Sequence, residues 1–259
     1  MISLILATLV FISDVQINSF SSYPDSIATV ISNEIGSGIV YDAGDLVENG
    51  LYIEEQEYER YKQLFPYSIP VPGNHDSYDG LNYWVWTNVV DVYDSGIHIV
   101  GFDTGEMNNP MSLDWLRTVL DDGQGQFTIL FMHHQVFSDN VRNGAISTRI
   151  REVFLPIIED TDVDLVICGH GHAYERHSYN YRTYLVIGGG GAPLDAVGSS
   201  YTQIMSSSEH HWVKIDATPD GVDVQAIGFN GVIDSFSIAN PIILEPEKTS
   251  WGNVKGLFR

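Results

Sequence analysis

Short apolar runs, each ending in a polar loop, are the feature of this sequence that most restricts its fold. The first run, residues 4–13, has no polar alternation, which is typical of a strand buried on both faces. Through the first two thirds of the chain, such runs alternate with amphipathic stretches such as residues 24–35, whose apolar side chains recur at helical spacing. After residue 182 short strands follow one another across turns. The pattern predicts an α/β fold with two packed sheets and helices outside them.

The length of 259 residues suits one large domain, and the sequence contains no internal repeat or linker. We expect residues 1–240 to form a single domain and residues 241–259 to be a tail that packs on the surface or is partly mobile. Residues 1–12 are apolar, but they lack the positive start of a signal peptide and are too few to span a bilayer. We therefore read them as a strand and expect a soluble, cytoplasmic protein.

The charge balance limits the classes of partner. Thirty-four Asp and Glu residues against 12 Lys and Arg give a net charge of -22. Nucleic acid and anionic membranes both require a basic surface, so neither is an expected partner. The same field repels phosphate esters unless bound divalent metal ions supply local positive charge. The single cysteine, Cys168, excludes an intrachain disulfide and a Cys-based zinc site, and we expect it to be a small core residue.

Two histidines stand two residues apart directly after an apolar run. In an extended chain, side chains at i and i+2 point the same way, so His170 and His172 could each take a metal ion. An isolated pair of this kind is more often two hydrogen-bonded surface histidines. Polar segments also follow four other predicted strands, at residues 13–16, 44–46, 73–76 and 132–134. Because sites in open α/β sheets form at the carboxyl ends of strands, these segments can converge at one edge. Their imidazole and carboxylate groups are a ligand set suited to Zn, Mn or Fe.

In this order and spacing, the segments resemble the calcineurin-like metallophosphoesterase superfamily over about residues 9–240. The purple acid phosphatase-like branch looks closest. Three phrases carry that likeness: Gly169-His-Gly-His-Ala-Tyr-Glu-Arg176, Tyr184-Leu-Val-Ile-Gly-Gly-Gly-Gly-Ala-Pro-Leu194 and His210-His-Trp-Val-Lys-Ile-Asp216. The resemblance implies a four-layer α/β/β/α sandwich of two mixed β-sheets flanked by helices. It also implies a hydrolase of small phosphate esters that uses two metal ions, Fe, Mn or Zn.

The resemblance implies metal ligands at six positions. Asp45 would bridge the two ions, because a carboxylate has two oxygens and a negative charge to hold two cations together. Such a pair of ions clamps the phosphoryl group during in-line displacement by an activated water. The other ligands would divide between the ions, with Asp14 and His172 on the first and Asn74, His133 and His170 on the second. For each of these residues the alternative is an ordinary hydrogen-bonded loop position.

The resemblance also implies residues that act on the substrate. His75 would protonate the leaving alkoxide, and Asp76 would orient that imidazole and raise its pKa. Arg142 could contact the phosphate, since a guanidinium suits it, although a solvated loop arginine explains the residue equally well. His134 would lie behind the ligands or line the pocket. We expect the other histidines, and the four glycines from residue 188, to be structural.

Two positions depart from the family pattern. Gln16 stands where a histidine commonly follows the first aspartate, and Glu48 stands where the purple enzymes have a tyrosine. We therefore expect no tyrosinate–iron colour. At the first metal, Gln16 or Glu48 could fill the missing ligand place, or water could.

Three functions remain open at this point. The leading one is a dinuclear metal-dependent phosphomonoesterase or phosphodiesterase. A cyclic-nucleotide or glycerophosphodiester phosphodiesterase is the second, because the pocket walls that decide specificity cannot be read from sequence; Trp84 and Trp86 could form an aromatic wall or pack in the core. The third is a non-catalytic binding protein that retains the fold, which only Gln16 supports.

Overall fold

The computed structural model describes residues 5–17, 23–35, 38–48, 55–76, 89–122, 127–141 and 144–239. Within these ranges the helices are α1 Tyr23–Ile35, α2 Glu55–Leu64, α3 Pro110–Asp121 and α4 Gly144–Glu159, with a 3-10 helix at Thr104–Asn108. The strands are β1 Ala7–Ile12, β2 Val40–Asp42, β3 Ser68–Pro70, β4 Val89–Asp94, β5 Ile97–Phe102, β6 Phe127–Met132, β7 Leu165–Cys168, β8 Tyr174–Tyr179, β9 Arg182–Ile187, β10 Gln203–Ser207, β11 His211–Thr218, β12 Gly221–Gly228 and β13 Gly231–Ala239.

The strands form two mixed sheets. The first has the order β13-β12-β11-β1-β2-β3, in which β1, β2 and β3 are parallel and the remaining pairs are antiparallel. The second has the order β10-β8-β9-β7-β6-β5-β4, with a parallel centre of β5, β6, β7 and β9. Antiparallel strands lie at its edges. This topology confirms the predicted α/β class and the pair of mixed sheets.

Three apolar layers hold the sheets and helices together. Between the sheets, the Phe11 ring stacks on Tyr41 at 5.1 Å between centroids and meets Phe131 edge-on at 6.0 Å. On the outer face of the first sheet, helices α1 and α2 bury residues such as Ile27, and on the outer face of the second, α3 and α4 bury residues such as Phe154. The result is the α/β/β/α sandwich. Each fully buried aliphatic or aromatic side chain in these layers contributes about 1.5–3 kcal/mol.

Two details differ from the sequence prediction. Strands β8 and β10 were not predicted, because their polar sequences lack an apolar run; pairing with β9 places β8 in the sheet, and β10 adds to β8. Helix α4 also continues past Pro156, where a kink or an end was expected. The proline lies in the last turn, where its carbonyl still accepts the N–H of Asp160 at 3.1 Å.

The division into domain and tail stays a prediction. Residues 240–259 lie outside the described residues, as do Trp84 and Trp86. Among the residues that the structure describes, no helix is both long and apolar enough to cross a membrane.

Candidate metal centre

The carboxyl ends of β1, β2, β6 and β7 meet at one edge of the sandwich. Each of these strands is followed by a predicted ligand: Asp14 after β1, Asp45 after β2, His133 after β6 and His170 after β7. Two hydrogen bonds connect the loops, from the N–H of Gly169 to the carbonyl of His133 at 2.8 Å and from the N–H of His170 to Oδ2 of Asp14 at 2.9 Å. The second bond joins the two sheets directly at the site.

The backbone is unusual at these loops. Asp14, Asp45 and His170 have φ values of 56°, 57° and 65°. Residues other than glycine rarely adopt this left-handed conformation, and it is concentrated at functional sites where the surrounding structure fixes it.

Asp14 is fully buried and ready to accept a cation. Its Oδ2 accepts hydrogen bonds from the hydroxyl of Ser13 at 2.7 Å and from the His170 N–H. Within the described part of the chain, its Oδ1 accepts no hydrogen bond and makes only a 3.4 Å ion-pair contact with Nε2 of His172. Burial alone would raise the pKa of Asp14, but the contact with His172 and the charge of the neighbouring imidazoles lower it well below its usual value. A buried, ionised carboxylate with one unpartnered oxygen fits a metal ligand.

A second group of polar atoms surrounds His133. Its Nε2 lies 3.1 Å from Oδ1 of Asn74 and 3.3 Å from Oδ2 of Asp45. Ligand atoms of Asp14, Asp45 and His133 all lie within 4.8 Å of one another, and all three residues are buried. Burial opposes protonation of His133, yet the carboxylate of Asp45 outweighs it and raises the pKa to about 10. Two carboxylates that hold a proton on an imidazole in this way can hold a metal cation instead.

His134 lies closer to the ligands than the sequence indicated. Nitrogen atoms of His133, His134 and His170 also lie within 4.8 Å of one another, and the His134 and His170 ring centroids are 4.5 Å apart. Nδ1 of His134 is 2.6 Å from the hydroxyl oxygen of Thr104. Burial lowers the pKa of His134 to about 2 and that of His170 to about 4. Both are therefore neutral near pH 7, the form in which an imidazole binds metal.

Backbone carbonyls set the orientation of two ligand imidazoles. Nδ1 of His133 is 2.8 Å from the carbonyl oxygen of Ala43, and Nδ1 of His172 is 2.9 Å from that of Pro193. Since a carbonyl only accepts, each Nδ1 carries the hydrogen and each Nε2 faces the site. This is the arrangement that proteins use to fix metal-binding histidines. The donors of the centre thus fit a transition-metal ion in type, burial and orientation.

Gln16 lies beside the predicted bridging carboxylate. Its side chain is buried, with Nε2 3.4 Å from Oδ2 of Asp45, and its backbone N–H donates to the Asp45 carbonyl at 2.9 Å. The amide therefore lies within reach of an ion bound by Asp45, while its role as a ligand stays a prediction.

His75 lies at the mouth of the centre, with a third of its side chain exposed. Its Nδ1 makes a short hydrogen bond to the carbonyl oxygen of Glu48. Its Nε2 is 4.0 Å from Oδ2 of Asp45. The ring is thus oriented by a backbone carbonyl and presents Nε2 beside the predicted bridging carboxylate.

The expected role of Asp76 in orienting His75 was wrong. Among the described residues, its carboxylate makes no hydrogen bond or ion pair with that imidazole. Oδ2 accepts the N–H groups of Asp45 and Gly73 at 2.8 Å each, and Oδ1 accepts that of Leu46 at 2.9 Å. Burial and the charge of Asp45 raise the pKa of Asp76 to about 7, and the N–H donors counter that rise. Asp76 therefore fixes the loop that carries Asp45.

Other residues of the site were missed or lie out of reach. Asp195 accepts the N–H of His172 at 3.3 Å and the amide of Asn140 at 2.8 Å, so it steadies the loop that carries His172. No motif distinguishes this aspartate in the sequence, since the two partners of its carboxylate come from two other loops. Arg142 lies outside the described residues, so its predicted contact with phosphate stays a prediction.

Comparison with known sequences gives one family and distant relatives. A model of the calcineurin-like phosphoesterase family matches residues 7–174, more than half of the chain. Two uncharacterised proteins from strains of Mycobacterium tuberculosis are 28% identical over 156 residues, which cover 56% of this chain and 26% of each relative. The chain spans about a quarter of the length of these curated relatives.

Comparison with solved structures gives the same fold. The purple acid phosphatase PPD1 from yellow lupin has a TM-score of 0.73 at 16% identity, over 90% of this chain and 53% of that one. GAP50, described as the anchor in the inner membrane complex of Plasmodium, has a TM-score of 0.71 at 16% identity, over 97% of this chain and 93% of that one. A dimetal phosphatase from Danio rerio has a TM-score of 0.61 at 12% identity, over 91% of this chain and 99% of that one. At these identities the likeness concerns the fold alone.

Proposed function

Because this chain belongs to the calcineurin-like phosphoesterase family, we propose that it is a dinuclear metal-dependent hydrolase of phosphate esters. One observation carries the proposal: ligand atoms of Asp14, Asp45 and His133 converge within 4.8 Å in a fully buried position. Two buried carboxylates side by side repel each other and are costly unless a cation lies between them. The fold likeness to the lupin and zebrafish phosphatases is consistent with this reading.

In this proposal the ligands would divide between two ions that share Asp45. Asp14 and His172 would hold the first ion, with Gln16 beside it, and the second would be held by Asn74, His133 and His170. Imidazole, carboxylate and amide donors favour Fe, Mn or Zn over Mg or Ca. When bound, a metal pair neutralises charge on the phosphoryl oxygens and activates a water nucleophile. It also provides the positive charge that a chain of net charge -22 otherwise lacks.

His75 acts as the general acid in this proposal. The Glu48 carbonyl holds the proton on Nδ1, so the transferable proton is the one on Nε2 of the imidazolium. As the ester bond breaks, that proton moves to the departing alkoxide oxygen, and the neutral imidazole remains bonded to Glu48. The partial exposure of His75 leaves room for the leaving group beside it. His134, whose ring lies 4.5 Å from that of His170, and Arg142 would contact the phosphate.

The test combines metal analysis with hydrolysis. Protein loaded with Mn, Zn or Fe is assayed on p-nitrophenyl phosphate and on bis(p-nitrophenyl) phosphate, which separates monoesterase from diesterase activity. We expect Asp45→Asn to lose bound metal and at least about 100-fold in kcat/KM, because it removes the shared ligand. Asp91→Asn is the matched control: it also removes one carboxylate, and that carboxylate lies at the far edge of the second sheet, bonded to His98.

The outcomes separate the functions still open. Turnover of one ester class with metal supports the hydrolase and identifies the class. If no metal binds and neither ester is cleaved, the hydrolase proposal fails and the non-catalytic binding protein takes its place. If His75→Ala retains full activity on an alkyl ester with a poor leaving group, the general-acid assignment fails on its own.

A further inference from the structure

A cleft of about 510 Å³ lies between the start of α1 and the turn that joins β12 to β13. Two aromatic rings dominate it, those of Tyr23 and Phe229, whose residues are 47% and 45% exposed. Among the described residues, its lining also includes Ser26, Thr29 and Val30. None of these five described side chains is charged, although the chain as a whole is strongly acidic. The cleft therefore offers neutral aromatic faces to solvent.

The register of the first sheet places this cleft at the same edge as the metal ligands. Strand β11 runs antiparallel to β1 and begins at the end of β1 that carries Asp14, with Phe11 opposite Val213. Strand β12 returns to that edge, where Gly228 pairs with His211. Phe229 follows immediately. Two strand spacings separate β1 from β12, so the backbone at Phe229 lies about 10 Å across the sheet from the end of β1 that carries Asp14.

A continuous run of backbone joins the cleft to the metal centre. The N–H of Gly190 donates to the carbonyl of Ser13 at 3.0 Å, and the carbonyl of Gly189 lies 3.1 Å from Nδ1 of His210. The Tyr23 ring stacks on the His210 ring at 3.8 Å between centroids, and Phe229 lies 6.3 Å from Tyr23. One face of the Tyr23 ring is thus covered by His210, and His210 is bonded to the glycine loop that contacts Ser13, the residue before Asp14.

We propose that this cleft binds the base of a nucleoside phosphate whose phosphate lies at the metal centre. The inference rests on the proposed function and specifies its substrate class. A base stacked on aromatic side chains gains about 1–3 kcal/mol per base. The candidate ligands and Phe229 stand at ends of strands that lie two spacings apart in the sheet, so we infer that a sugar separates the phosphate from the base. The uncharged lining suits a neutral base.

The test compares AMP with ribose 5-phosphate. The two esters share the sugar and the dianionic phosphate and differ only in the base, so the protein's negative field affects both alike. Phosphate release by metal-loaded enzyme gives kcat/KM for each, and calorimetric titration gives affinity where no phosphate is released. We expect AMP to be favoured by about 5- to 150-fold, the ratio that corresponds to the stacking energy.

Three variants locate the preference. Phe229→Ala and Tyr23→Ala should each remove most of it by lowering kcat/KM for AMP while ribose 5-phosphate stays within about 2-fold. Tyr181→Ala is the control, because that tyrosine is fully exposed at the β8–β9 turn, on the opposite edge of the sandwich. Phe229 lies on an exposed turn, so its variant remains a test even if Tyr23→Ala disturbs α1.

Each outcome bears on one proposal. Equal values for AMP and ribose 5-phosphate in the unmodified enzyme, or a preference that survives both Phe229→Ala and Tyr23→Ala, overturns the base-binding cleft and leaves the hydrolase intact. Tighter calorimetric binding of AMP than of ribose 5-phosphate supports the cleft even if no phosphate is released, and the hydrolase is overturned only if bis(p-nitrophenyl) phosphate is not cleaved either.

Discussion

Gly73 provides the sharpest steric test of the metal centre. A Cβ atom placed there would lie 2.1 Å from Oδ1 of Asp45 and 2.4 Å from its backbone nitrogen. Ordinary van der Waals contact begins near 3.4 Å, so the Asp45 backbone would have to retreat by about 1 Å. The φ angle of Gly73 is outside the left-handed range. The glycine is therefore required by the close approach of Asp45 and not by its own backbone conformation.

The expected effect of Gly73→Ala is large on function and moderate on stability. Overpacking of this kind costs about 1–3 kcal/mol in unfolding free energy. A displacement of about 1 Å at a residue that positions the reacting groups costs on the order of 100-fold in rate. Since Asp45 is the shared ligand in the proposed centre, we expect bound metal to fall and kcat/KM to drop about 100-fold while most of the protein stays folded.

The measurements are urea unfolding, metal content by elemental analysis, and hydrolysis of p-nitrophenyl phosphate. Gly198→Ala is the matched control, because its added Cβ would approach only the carbonyl of Asp139, at 3.2 Å, and its φ is likewise outside the left-handed range. The reasoning is refuted if Gly73→Ala keeps its metal content and activity within about 2-fold of Gly198→Ala.

Three further predictions concern the thiol, the metal and the link between the sheets. Burial raises the pKa of Cys168 to about 12, so at pH 8 a disulfide reagent should label it at least about 100-fold more slowly in native than in urea-unfolded protein; equal rates would contradict its core position. Metal at 100 times its Kd should raise the unfolding free energy by about 2.7 kcal/mol, measured by denaturation with and without a chelator, and Asp45→Asn should abolish that gain. Arg176→Met should lower the free energy of unfolding in urea by about 1–3 kcal/mol, because Nε loses its 2.7 Å contact with Asp234 across the sheets. If the two residues act through this contact, the Asp234→Asn, Arg176→Met double variant should lose less than the sum of the two single variants, and fully additive losses would contradict it.

The convergence of the candidate ligands could be predicted from the sequence because it follows from one topological rule, while their individual roles were implied by the family resemblance. Apolar runs predicted the parallel strands, and the carboxyl ends of such strands meet at one edge, which brought Asp14, Asp45, His133 and His170 together. The predicted element boundaries of these strands differ from the structure by only a few residues, since a buried strand must end where the polar loop begins.

The partners of these residues could not be predicted in the same way. The resemblance implied that Asp76 orients His75, yet its carboxylate accepts backbone N–H groups from a loop about 30 residues earlier. Because almost every residue has a backbone N–H group, the sequence does not indicate which of them a carboxylate will bind. Tyr23, His210 and Phe229 likewise come from three distant segments, and only the strand register shows that they share an edge.

The strained backbone of the ligand loops connects the fold with the proposed chemistry. A non-glycine residue with positive φ costs about 1–3 kcal/mol, and Asp14 and Asp45 both adopt it. The two loops hold each other in place: the N–H of Asp14 donates to the carbonyl of Gly44 at 2.9 Å, and that of Gln16 donates to the carbonyl of Asp45 at the same distance. The fold therefore supports the strained ligands before any cation binds, so the metal would enter a largely preformed site and its removal should leave the sandwich folded.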